Sequence, residues 1–107
     1  MRSGLKPALL LAVAALLRPQ VAQAATIQVT IQNLAFSPAE VSAKVGDTIE
    51  WVNKDAFVHT ATARDKTFDV SIAANKTATL VVQKAGDIAY FCRFHPNMTA
   101  TLKVSSN

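Results

Sequence analysis

Apolar and polar residues alternate with a period of two through Ile27, Val29 and Ile31, through Val41, Ala43 and Val45, and through Ile49 and Trp51. The same alternation returns at Ala78, Leu80 and Val82, at Ile88, Tyr90 and Cys92, and at Leu102 and Val104. Strict alternation marks strands with one buried face. Between these runs lie Ser37-Pro38, Gly46-Asp47, Asn53-Lys54-Asp55, Ala74-Asn75-Lys76 and Gly86-Asp87, residue types that turn the backbone at regular intervals. No stretch beyond residue 24 carries an apolar stripe at the helical period. The pattern predicts an all-β domain of two packed antiparallel sheets, with Trp51 and Phe68 in the core.

The first 24 residues read differently. Arg2 and Lys6 precede an apolar run from Ala8 to Leu17, and Ala22-Gln23-Ala24 places small residues at both specificity positions of a cleavage site. This is the layout of a secretory signal peptide, residues 1–24, cut near Ala24. The apolar run is half the length of about 20 residues that spans a bilayer, and Arg18-Pro19 closes it, so no membrane anchor is expected after cleavage. Residues 25–107 then form one domain in the periplasm.

Export changes the charge picture. The whole chain of 107 residues has a net charge of +4, but Arg2, Lys6 and Arg18 leave with the leader, so eight cations face seven carboxylates in the remainder. Nothing there forms the basic stripe that nucleic acid requires, and nucleic acid is excluded as a partner. With one cysteine, an internal disulfide is excluded as well.

Beyond the leader, cysteine, histidine and methionine are confined to Cys92, His59, His95 and Met98. Alone, each has an ordinary explanation: a core thiol, a strand histidine, a turn histidine, a core methionine. Three of the four fall between positions 92 and 98, and extended backbone would carry each ligand about 10 Å past the one before, so convergence demands a tight turn. Pro96, with no N–H, suits a loop that leaves the ladder directly after Cys92. One thiolate, two imidazoles and one thioether form the soft-plus-borderline set that suits copper in both oxidation states. Zinc disfavours the thioether, and calcium finds no acidic cluster. A cysteine hydrolase built on Cys92 would leave Met98 without a role. The set leaves no open position for a substrate, so the reading is an electron carrier and not an enzyme. The alternative is a protein that delivers copper, for which exposed, methionine-rich ligands would be expected.

The spacing Cys92-x2-His95-x2-Met98, the segment from Phe36 to Asp55, the run His59-Thr60-Ala61-Thr62 and the strand from Gly86 to Cys92 together resemble a small blue copper protein of the cupredoxin family, in its short-loop, amicyanin-like form. The resemblance implies a Greek-key β-sandwich and one type 1 copper ion, with His59, Cys92 and His95 as equatorial ligands and Met98 as the weak axial one. It also implies a monomeric single-electron carrier that takes electrons from a dehydrogenase and passes them to a c-type cytochrome. Phe94 and Pro96 would flank His95 in an apolar docking patch with Arg93 and Lys54 at its rim. One position departs from the family: asparagine usually follows the first histidine ligand, and here Thr60 stands in its place, able to donate one hydroxyl and one backbone hydrogen bond toward the ligand loop.

Overall fold

A computed structural model describes residues 23–106, which form nine strands and no helix. The leader expected over residues 1–24 lies outside the described residues except for Gln23 and Ala24. In chain order the strands are β1 (Thr26–Gln32), β2 (Ala35–Ser37), β3 (Glu40–Lys44), β4 (Thr48–Asn53), β5 (His59–Ala63), β6 (Asp69–Ile72), β7 (Thr77–Val81), β8 (Gly86–Cys92) and β9 (His95–Ser105). They form a four-stranded sheet in the order β2-β1-β4-β7 and a five-stranded sheet in the order β3-β9-β8-β5-β6. The alternating apolar residues of both sheets meet in one core that contains Val29, Ile31, Ile49, Ile88 and Leu102.

The all-β sandwich stands as expected, but its sheets are mixed and not wholly antiparallel. β1 runs parallel to β4, with Thr26 opposite Thr48, and β3 runs parallel to β9, with Glu40 opposite Thr101. The chain leaves the first sheet after β2, lays down β3 in the second, and returns as β4 beside β1. Alternation reports which face of a strand is buried and is silent on direction, so a parallel neighbour leaves no mark in it.

Both ends of the β1–β4 pair are gripped by a carboxylate. Asp47, just before β4, accepts the N–H groups of Ala25 and Lys44 at 2.9 and 2.8 Å. Those two backbone hydrogen bonds hold its carboxyl below the usual carboxylate range. Asp55, just after β4, accepts the N–H groups of Asn33 and Leu34 at 2.8 and 3.1 Å. Asn33 and Leu34 are the two central residues of the β1–β2 hairpin and both have positive φ, 54° and 61°, as a twisted two-residue turn requires.

Beside Cys92, two residues back along β8, the core is aromatic. The Tyr90 ring meets Phe36 edge-on at 4.8 Å and Trp51 edge-on at 5.7 Å, and Phe68 packs beside Trp51 and Tyr90. Trp51 is fully buried and Phe68 partly so, as the sequence indicates. The Trp51 Nε1–H donates to the Tyr90 hydroxyl at 3.2 Å. Burial pushes the Tyr90 phenol up to about 12, against the opposing pull of the indole N–H. Replacing Tyr90 with phenylalanine strands a buried indole N–H, and the expected loss is about 1–3 kcal/mol of unfolding free energy. Denaturant titration of the metal-free protein measures it, and an unchanged stability would mean that water replaces the hydroxyl.

Candidate metal centre

β5 and β8 are hydrogen-bonded neighbours only at Thr62 opposite Phe91 and Ala63 opposite Tyr90. Carried two residues further, the same register would set Thr60 against Arg93. There side chains replace the ladder: the Thr60 N–H donates to Cys92 Sγ at 3.3 Å, and the Arg93 N–H donates to Thr60 Oγ1 at 2.9 Å. The expected backbone donation by Thr60 is present. Its hydroxyl, however, accepts from the ligand loop where donation was expected, because the group facing it is an N–H and not a carbonyl.

The turn itself is tighter than the sequence suggests. β8 ends at Cys92, Arg93 and Phe94 make the turn, and β9 already begins at His95, which pairs with Cys92 across a register shift between Phe91 and Cys92. Pro96 therefore lies within β9 and not in a loop beyond the ladder. It is exposed. The shift places three extra residues, Pro96 to Met98, on the β9 side, while Cys92 faces inward by the same alternation that buries Ile88 and Tyr90.

Three of the expected ligands converge. His59, Cys92 and His95 each present one donor atom, all within 4.8 Å of one another. Cys92 Sγ lies 3.5 Å from His59 Nδ1 and 3.8 Å from His95 Nδ1. Cys92 and His59 are fully buried, while His95 is half-buried. Met98 is buried on the inward face of β9 three positions beyond His95, and it lines a surface hollow shared with Leu34, Phe94, His95, Pro96 and Asn97.

The far side of His59 explains its readiness. Its Nε2 lies 2.8 Å from Asp55 Oδ2. Burial acts to raise the Asp55 carboxyl, but hydrogen bonds from Leu34, His59 and Asn33 outweigh it and hold the group below its ordinary range. An ionised carboxylate only accepts, so Nε2 carries the ring proton and Nδ1 turns a bare lone pair toward Cys92. This is the arrangement in which a carboxylate orients a metal-binding imidazole. Asn53 fixes the intervening loop: its Oδ1 accepts the Asp55 N–H at 2.9 Å, and its buried amide donates to the carbonyls of Phe57, Ile72 and Ala73.

Sequence reasoning passed over Asp55 and Phe57. The spacing Asp55-x3-His59 was available, but an aspartate beside a lysine in a turn reads as solvated surface. The Phe57 ring lies 5.1 Å from His59 and 5.6 Å from His95, covering the pair from outside while remaining 46% exposed. One cysteine sulfur and two imidazoles at these separations, shielded by the Phe57 ring, fit one type 1 copper ion.

The cupredoxin-like domain family matches residues 7–104 of the chain. Among solved structures, the chain is similar to an amicyanin variant in its reduced Cu(I) form, at 28% identity and a TM-score of 0.67, over 80% of this chain and 87% of that one. It is similar in fold to the amicyanin of Paracoccus versutus, at 24% identity and a TM-score of 0.65, over 75% of this chain and 81% of the other. A purple cupredoxin from Nitrosopumilus maritimus shares the fold at 24% identity and a TM-score of 0.68, covering 74% of this chain and 99% of that one. No curated protein matches the chain.

Proposed function

The chain belongs to the cupredoxin-like domain family, and from that membership we propose that it is an exported, monomeric single-electron carrier in the periplasm. Its centre is one type 1 copper ion held by His59, Cys92, His95 and, axially, Met98. The observation that carries this reading is the convergence of three donors, two of which, His59 and Cys92, are already held by hydrogen bonds from Asp55 and from the Thr60 N–H. Copper bound there supplies a one-electron couple between Cu(I) and Cu(II). The chain's own residues hold the imidazole and thiolate still, bury the sulfur, and orient the His59 lone pair, so little has to move when the charge changes.

Copper-loaded protein is expected to show an intense blue thiolate-to-copper band and a reversible one-electron wave. Cys92→Ser should abolish the band, and Met98→Leu should keep it while shifting the potential. A colourless cuprous protein that surrenders its metal readily to a chelator would favour copper delivery and overturn the carrier.

The partners proposed are a dehydrogenase as donor and a c-type cytochrome as acceptor. Support comes from Leu34, Phe57 and Phe94, which are 45%, 46% and 52% exposed around half-buried His95. Phe94 thus faces solvent and does not fold back into the core. Arg93 at the rim is engaged with Asp69 at 3.2 Å and its guanidinium lies 5.5 Å over the Phe94 ring. Phe94→Asp should slow electron transfer to a cytochrome about tenfold, the equivalent of roughly 1.4 kcal/mol of lost docking free energy. Unaltered stopped-flow rates would remove the patch from the proposal.

Export with cleavage after Ala24 is supported at the other end of the molecule. The Ala25 nitrogen, which would become the new amino terminus, lies 2.9 Å from Asp47 Oδ1, and the Ala25 carbonyl accepts the Thr48 N–H at 2.9 Å. A cut there leaves β1 whole and sets an ammonium against a carboxylate. The intact mass of protein from the periplasmic fraction should begin at Ala25, and a membrane-bound product retaining the leader would overturn the assignment.

A further inference from the structure

Four side chains beside the thiolate close a ring. The Arg93 N–H donates to Thr60 Oγ1 at 2.9 Å, Thr60 Oγ1 lies 2.8 Å from Thr62 Oγ1, and the Thr62 hydroxyl donates to Asp69 Oδ1 at 2.7 Å. The Arg93 Nε–H returns to the same Oδ1 at 3.2 Å. Main chain and side chain of one residue thus begin and end the circuit.

The direction of every proton follows from Asp69. Hydrogen bonds from Thr62 and Arg93 keep its carboxyl below the ordinary range, so it is ionised and can only accept. Thr62 has one hydroxyl proton and gives it to Asp69. Thr62 can therefore only accept from Thr60, and Thr60, its own proton committed, turns lone pairs to the Arg93 N–H. The Thr60 hydroxyl is consequently unavailable as a donor to Cys92. Among the described residues, the Thr60 N–H is the one backbone donor on the sulfur.

We infer that Asp69 and Thr62 are positioning residues for the Cys92 thiolate, acting through the Thr60 hydroxyl to fix the Arg93 amide and to set how many donors the sulfur receives. The inference rests on the copper reading for its redox consequence, but the ring itself needs no metal. The resemblance implies asparagine at position 60, whose amide would carry a donor and an acceptor together. Threonine at the same place has one proton, and its orientation must be imposed from outside. Thr62 on β5 and Asp69 on β6 impose it. Each step of such a chain polarises the next, so part of the negative charge of Asp69 is expressed at the Thr60 oxygen beside the ligand turn. Cutting the chain therefore favours the less positive, cuprous state and raises the potential.

Thr62→Val cuts the ring and leaves the Asp69–Arg93 ion pair in place; Thr62→Ser restores the hydroxyl; Asp69→Asn removes the charge at an exposed site. In metal-free protein, amide hydrogen exchange at Arg93 is expected to quicken about tenfold in Thr62→Val and Asp69→Asn, the loss of roughly one hydrogen bond, and to return in Thr62→Ser. In copper-loaded protein the same two variants are expected to raise the potential and shift the thiolate-to-copper band, again with recovery in Thr62→Ser. Faster exchange with an unaltered potential and band would make the ring a brace and overturn the positioning role. Unaltered exchange would overturn the ring. A wild-type protein that fails to turn blue would defeat the copper reading instead, while the exchange measurement would still report on the ring.

Discussion

One carboxylate, that of Asp55, ties the cluster of His59, Cys92 and His95 to the closure of the first sheet. It accepts from Asn33, Leu34 and His59 at once, three donors from two segments, the β1–β2 turn and the start of β5. Without it the β1–β2 hairpin would lose the partner of two strained residues with positive φ, and the His59 ring would be free to exchange its tautomer. A group of this kind couples the precision of the site to the closure of the sheet. The hairpin, the β4–β5 loop and the first ligand are positioned as one unit.

The strands with long alternating runs were legible in the sequence, because burial of one face leaves a period of two whatever the partner. β2 and β6 were not. They are three and four residues long, too short to establish a period, and they exist because a neighbour supplies their hydrogen bonds. The parallel pairings were illegible for the reason that alternation has no direction.

At the site, rarity singled out His59, Cys92 and His95, which the fold brings together, since residues used so sparingly have few structural explanations. Asp55, Thr62 and Asp69 carry no such signal. Threonine and aspartate are common on strand and turn surfaces, and their roles depend on partners that only the folded register brings near. The likeness to a family pointed at Thr60 as a departure, yet its hydroxyl is engaged by Thr62 of its own strand, and through it by Asp69 of the neighbouring strand, and by Arg93 of the turn after Cys92.

The two aspartates that bracket β4 also give the molecule a polarity. Asp47 receives Ala25 at one end of a six-residue strand and Asp55 receives His59 at the other, a separation of about 20 Å at the usual rise per residue. Anything attached ahead of Ala25 therefore emerges at the pole opposite the thiolate and the exposed aromatic rings. A molecule fixed to a surface by that end, such as a gold electrode, would hold the Cys92 end outward and its exposed aromatic rings open to whatever diffuses past.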